Sequence, residues 1–137
     1  MKNFTSSTQK IGELGEDVAC KYLSKKGFSI LERNYTKKWG EIDIIAQKND
    51  VLYFIEVKSK SVSSLDFIAQ RLDKFDGQMR PEDNMHPWKL KRISRTIQTY
   101  LIHMRIGNTR WQFDLIVVYL DLELRKARVK RIENIIL

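Results

Sequence analysis

Residues 40–60 read GEIDIIAQKNDVLYFIEVKSK, and this pattern leaves little choice of local structure. Two runs rich in Ile, Val, Phe and Tyr flank the polar Gln47-Lys48-Asn49-Asp50, which predicts two strands joined by a short turn. Side chains alternate faces along a strand, so Glu56 and Lys58 point one way and Val57 the other. With the turn near Lys48-Asn49, Asp43 on the first strand falls near Glu56 on the second. Both carboxylates stand among hydrocarbon: Ile42 and Ile44 bracket Asp43, and Ile55 and Val57 bracket Glu56. Two carboxylates brought together repel, and burial raises the cost further. A divalent cation on Asp43 and Glu56 removes the conflict. Mg2+ suits such a pair because it takes hard oxygen ligands from one or two carboxylates and keeps several waters. The Val57 carbonyl is a further candidate ligand.

Lys58 extends the set, because an ammonium near a metal and a phosphate offsets charge that develops at phosphorus. The competing reading is a solvated strand face carrying a surface ion pair, worth about 0–1 kcal/mol. Three companions count against it. The strand is apolar around Glu56, Asp43 lies on the adjoining strand, and the first helix offers Glu16. On a helical wheel Glu16 lies at the edge of the apolar stripe beside Leu23, with Glu13 and Asp17 farther out. Alone, Glu16 reads as an ordinary flanking charge.

The rest of the chain supplies a setting. From Lys10 to Lys26, Ile11, Leu14, Val18, Tyr22 and Leu23 fall at helical spacing, with Gly15 inside the stripe and Gly27 where a left-handed stop is wanted. FSILERNY reads as a first strand, Phe28, Ile30 and Glu32 alternating with Ser29, Leu31 and Arg33. A short helix is expected in SSLDFIAQRLDKFDG, a loop in QMRPEDNMHP, and a longer helix from Trp88 to Arg105, ended by Gly107-Asn108. Its stripe is Leu90, Ile93, Ile97, Tyr100, Leu101 and Met104. WQFDLIVVYLD is a strand apolar on both faces, and RKARVKRIENII a more exposed one. The order α-β-β-β-(α)-α-β-β implies one α/β domain over residues 1–137, its sheet covered on both faces.

Charge bears on the partner. The chain carries 25 Lys and Arg against 17 Asp and Glu, a net +8, which favours a polyanion, most often nucleic acid. No apolar run approaches the ~18 residues of a membrane span. The amino-terminal MKNFTSSTQK lacks the apolar core of a signal peptide, so the expected location is cytoplasmic, with no membrane partner. Cys20 has no internal disulfide partner, and no Cys/His spacing points to zinc. Arg33, Lys37 and Lys38, beside the proposed site, are candidates for phosphate contacts; their alternative is a solvated charge run. Trp39 reads as edge packing or a base-stacking ring, and Trp88 and Trp111 as structural residues at element starts.

Glu16 in a first helix, then GEIDIIA, then FIEVK, resembles the PD-(D/E)XK nuclease superfamily. More closely, GELGEDVACKYL, GFSILERNY, GEIDIIA, LYFIEVKSK, KLKRI, YL and FDLIVV, between Gly12 and Val118, resemble the YraN-type small bacterial family, similar in fold to Holliday-junction resolvases. The resemblance implies a restriction-endonuclease-like core, a central mixed sheet with flanking helices. It implies Asp43 and Glu56 as metal-holding residues, Lys58 as the catalytic lysine and Glu16 as completing the acidic cluster. It also implies Lys89 and Arg92 as phosphate-backbone contacts, and a homodimer as the assembly of the resolvase relatives. The sequence departs from the family between Lys60 and Trp88, where residues 61–87 read as a helical and loop insertion. The expected activity is Mg2+- or Mn2+-dependent hydrolysis of branched or structured DNA. The alternatives are a non-catalytic nucleic-acid-binding or adaptor module on the same fold, and association with RNA.

Overall fold

The computed structural model describes residues 7–63 and 85–137. The short helix expected within residues 63–77, and most of the loop and insertion that follow, lie outside the described residues. In chain order the elements are α1 (Ser7–Lys25), β1 (Ser29–Lys37), β2 (Gly40–Lys48), β3 (Val51–Ser61), α2 (Pro87–His103), β4 (Arg110–Asp121) and β5 (Lys126–Ile132). The strands form one sheet in the order β1-β2-β3-β4-β5. β3 and β4 run parallel, and every other neighbouring pair is antiparallel. This is the expected α/β fold, a mixed sheet flanked by helices, and it is consistent with a nuclease-like core.

Among the described residues there are three buried clusters, one under each helix and a third of Leu115, Val117 and Tyr119 on β4. On one face Ala19 and Leu23 of α1 pack with Phe28, Ile44, Ala46, Ile55, Ile116, Val118 and Leu120. On the other, Ile93, Ile97, Tyr100 and Leu101 of α2 pack with Ile42, Ile45, Leu52, Phe54 and Phe113. β4 feeds both and is buried along nearly all its length, which is why its sequence is almost uninterrupted hydrocarbon.

The buried line of α1 differs from the expected stripe. Leu14 is 42% exposed, whereas Gly15, Ala19 and Leu23 are buried. Gly15 and Ala19 let the helix come close to the sheet, and Leu23 anchors its last turn. A Cβ on Gly15 would collide with the side chain of Ser59 on β3. At its end Gly27 takes φ +92° and the Phe28 N–H reaches the Leu23 carbonyl at 3.0 Å, the left-handed stop read from the sequence. α2 ends earlier than expected. Arg105, at φ +57°, takes the left-handed position, and the Ile106 N–H bonds to the Leu101 carbonyl at 3.0 Å. The chain has therefore left the helix before Gly107, and Met104 is 49% exposed instead of completing the stripe.

The hairpin turn is Asn49-Asp50, both at positive φ (51° and 65°), with Lys48 facing Val51. Two left-handed residues make the turn whose twist matches that of paired strands, and so the register is set. β1 is less regular than its alternation suggested. The pairing slips between Ile30 and Glu32, and Asn34 takes φ +52°. Arg33 consequently meets Asp17 of α1 at 2.9 Å, while Tyr35, two residues on, packs edge-on against Tyr100 of α2. The same change of face occurs opposite it on β2, where Ile42 belongs to the α2 core and Ile44 to the α1 core.

The Gly15 contact gives a direct test. Gly15→Ala gains about 1 kcal/mol of helix propensity but forces an overpacked contact that costs about 1–3 kcal/mol. A net loss of about 1 kcal/mol is expected in urea unfolding. The added change Ser59→Gly should recover it.

Candidate functional site

The ladder between β2 and β3 runs from Lys48↔Val51 to Ile44↔Ile55 and stops there. Beyond it β2 stays with β1 as far as Gly40, and β3 stays with β4 as far as Ser61. The two strands fork. At the crotch the Val57 N–H, which would otherwise bond to β2 backbone, donates to Asp43 Oδ2 at 2.8 Å. The Asp43 side chain thus replaces a ladder bond, and Glu56 stands across from it on β3.

α2 roofs the fork. A Cβ on Gly40 would lie 2.5 Å from Thr96 Oγ1 and 3.2 Å from the Arg92 carbonyl, so the helix backbone rests on the start of β2. The groove so enclosed has a volume of about 320 Å3 and is lined by Gly40, Glu41, Asp43, Glu56, Trp88, Lys89, Arg92 and Ile93. Lys89 Nζ lies 3.3 Å from Glu56 Oε1. Arg92 donates from Nε to the Trp39 carbonyl at 2.7 Å, and its guanidinium lies 5.8 Å from the Trp88 ring centroid.

Electrostatics follow from this crowding. Burial, and then the Glu56 carboxylate, push the Asp43 carboxyl from its ordinary 3.8 up to about 8; Glu16 and Glu41 add to the rise and the Val57 N–H opposes it. Lys58 is pushed down, first by burial and then by Lys89, with Glu56 acting against both. Glu16 is pushed up by burial, opposed by the Arg33 guanidinium.

The structure separates the expected site residues into two depressions that meet at Glu41 and Asp43. The second, of about 590 Å3, is lined by Glu16, Asp17, Arg33 and Asn34 among others. There Glu16 lies 3.5 Å from Arg33. Asp43 and Glu56 share the fork, and Lys58, two residues beyond Glu56, projects from the same face of β3. The three carboxylates Glu16, Asp43 and Glu56 do not gather into one ligand set. Among the described residues no three His, Cys, Asp or Glu side chains are grouped to hold a single ion. Of the expected phosphate contacts, Lys89 and Arg92 line the fork. Arg33 is engaged by Glu16 and Asp17, Lys37 lies over the Tyr35 ring at 5.2 Å, and Lys38 is exposed in the β1–β2 turn.

Two lining residues were not anticipated. Glu41 lies two positions before Asp43 on the same strand, a spacing that could have marked it. Trp88, read as structural, is 58% exposed and lines the groove; its signal was Arg92 one helical turn later. Asp114 shows what a structural carboxylate looks like here. It is fully buried and accepts from Gln112 at 2.8 Å, from Arg131 at 3.0 and 2.8 Å and from the Asn134 N–H at 2.9 Å. For Asp43 the corresponding bond is the one from Val57.

The family model described as "Uncharacterised protein family UPF0102" matches residues 15–118. The chain belongs to UPF0102. That match runs from the middle of α1 through most of β4; it holds the whole lining of the first depression and, of the second, the lining from Glu16 onward. It agrees with the YraN-type resemblance at the level of the family. A UPF0102 protein of Campylobacter lari is 42% identical over 124 residues, covering 90% of this chain and 91% of its own. One from Alkaliphilus oremlandii is 35% identical over 126 residues, 92% and 97% of the two chains. Among solved structures, Pyrococcus furiosus SfsA in complex with Ca2+ is 14% identical with a TM-score of 0.36; the match covers 93% of this chain and 64% of that one. Among the described residues no helix is long and apolar enough to cross a membrane.

The raised Asp43 pKa has a definite sign in stability. The folded chain holds this proton up to about pH 8 and the unfolded chain only to about 3.8, so the folded state binds more protons between those limits. In EDTA, stability attributable to Asp43 is therefore full below about pH 4 and declines as pH rises towards 8. Asp43→Asn should melt above the parent at pH 8 and equal to it at pH 4, as read by thermal unfolding across pH.

Proposed function

We propose that this chain is a metal-dependent endonuclease that hydrolyses phosphodiester bonds in branched or otherwise structured DNA. The observation that carries the proposal is the fork: Asp43 and Glu56 face one another where β2 and β3 part, in a groove whose opposite wall is cationic. Burial and the Glu56 carboxylate push the Asp43 carboxyl well above its ordinary range, a perturbation that clusters at functional sites.

The residues fit a hard divalent ion. Asp43 and Glu56 would hold Mg2+ or Mn2+ with water completing its coordination, which two carboxylates suffice to do. When bound, the ion supplies Lewis acidity towards a phosphodiester oxygen. The chain itself does the rest. Lys89 and Arg92 bring the phosphate to the groove, and Lys58 donates a hydrogen bond to the oxygen on which negative charge grows. Water forms the new P–O bond and gives up one proton, one ester P–O bond breaks, and the departing alkoxide takes up a proton, so that one water is divided between the two products. Glu16 and Arg33, across Asp43, shape the second depression and hold a following stretch of strand.

A second reading is a DNA- or RNA-binding module on the same fold that does not cut. The absence of a three-residue ligand group among the described residues and the Lys89–Glu56 pair favour it. It predicts binding whose log affinity falls linearly with log salt, with no turnover.

Purified protein is expected to nick junction-containing DNA with Mn2+ and to leave it intact in EDTA. Asp43→Ala and Glu56→Ala should each lower the rate at least about 100-fold, and Lys58→Ala on the order of 100-fold. Gel assays on variants with unchanged circular dichroism measure this. Undiminished cutting by the two carboxylate variants would exclude the fork as the active site.

A further inference from the structure

Trp88 is poorly explained as part of the core. It stands in the first turn of α2 and is 58% exposed, whereas Trp39 and Trp111 are partly buried. An indole left in water forgoes the burial that makes this side chain valuable to a fold. It is also held in a defined setting. His86 lies nearly parallel to it, with planes 10° apart and ring centroids separated by 6.4 Å. The Arg92 guanidinium lies 5.8 Å from its centroid, and Arg92 is itself tied to the Trp39 carbonyl. Arg95 covers the Trp39 ring at 4.3 Å. Each of the two indoles thus has its cation, but Trp88 still leaves 58% of its surface to solvent.

Position turns this exposed ring into a recognition element. Trp88 lines the same groove as Asp43 and Glu56, on the wall that carries Lys89 and Arg92. A phosphate drawn to the two cations brings its own nucleoside within reach of the indole. In a duplex that base is stacked between its neighbours and hydrogen-bonded to its partner, so its face is unavailable. A base that is unpaired, at a bulge, a gap or a branch point, can turn out and lay its face on Trp88. Stacking of this kind does not read sequence, because every base has an aromatic face.

We propose that Trp88 is a stacking platform for an unpaired nucleobase whose phosphate lies over the β2–β3 fork, so that the favoured substrate is DNA with an unpaired nucleotide beside the reacting phosphate. This rests on the nucleic-acid reading of the groove and adds the substrate feature that the groove selects. His86 walls one side of the platform and Arg92 steadies the ring from the helix.

The test is equilibrium binding of the full chain in EDTA, where no cutting occurs, followed by fluorescence anisotropy. The probes are three labelled DNAs of one sequence: a fully paired duplex, the duplex with one extra unpaired thymidine, and the same bulge with an abasic residue in place of that thymidine. The parent protein should prefer the thymidine bulge over both other DNAs by about 5- to 100-fold, the range expected for one stacked base. Trp88→Ala should erase that preference while leaving paired-duplex binding within about twofold, and Trp88→Phe should keep most of it. Because the ring is exposed, both variants should melt with the parent.

Equal loss on all three DNAs, or a preference that survives Trp88→Ala, overturns the proposal. Binding to none of the three overturns it, and the nuclease reading is then decided separately by Mn2+-dependent nicking. Bulge preference without any Mn2+-dependent nicking would leave the platform standing and remove only the catalytic reading. Nicking without bulge preference would do the reverse.

Discussion

One hydrogen bond organises the forked end of the sheet: the Val57 N–H to the Asp43 carboxylate, 2.8 Å long. An antiparallel pair that continued past Ile44↔Ile55 would have satisfied that N–H with backbone and closed the sheet. With the side chain in its place, β2 is free to follow β1 while β3 follows β4. The resulting opening is wide enough for a ligand and narrow enough that α2 can bridge it. The carboxylate that makes the gap also stands in it, so architecture and chemistry share one residue. This is why its ionisation is so expensive: solvent is largely excluded, the Glu56 charge is close, and one N–H is the opposing donor that the structure records for it.

The cations answer this acidity from a different element. Lys89 and Arg92 belong to α2, and their height above the strands is set where the helix backbone rests on Gly40. Larger residues at that position would lift the helix and with it both side chains. The arrangement resembles a clamp more than a lattice of ion pairs. Lys89 touches a carboxylate of the fork at ion-pair distance, while Arg92 gives its Nε hydrogen to the Trp39 carbonyl and sets its guanidinium beside the Trp88 ring. The opposite depression is balanced within itself by Arg33 against Glu16 and Asp17. Asp43 is the point at which the two balances meet.

Much of this was legible from the sequence because it depends on local rules. The polar Gln47-Lys48-Asn49-Asp50 between strand-forming runs marked a hairpin that brings Asp43 near Glu56; the structure puts its tip at Asn49-Asp50 and not at Lys48-Asn49. Gly27 after a helical stripe marked the end of α1. The unbroken hydrocarbon of β4 announced a strand covered on both sides. What escaped depends on departures from periodicity that no residue pattern advertises. Asn34 at φ +52° turns β1 over, so that Arg33 and Tyr35 serve opposite layers despite their even spacing. Leu14, expected in the buried stripe of α1, is 42% exposed, while Gly15 gives the close approach to the sheet expected of a glycine in that stripe. Trp88 was read as structural because most tryptophans are, and its solvent-facing position depends on how α2 lies across the sheet.

The parallel pairing of β3 with β4 carries a consequence for how the protein comes into being. Val51 meets Arg110 and Ser61 meets Leu120, partners separated by a long stretch of chain, whereas both hairpins before them close between near neighbours. Non-local pairings of this kind are slow to form, because loop-closure entropy is lost before contacts reward it. The acidic hairpin is thus expected to assemble early, and its helical roof only once the crossover has docked. During that interval Asp43 and Glu56 face open water with no α2 lysine overhead, and the groove exists only once the last tertiary contacts are made.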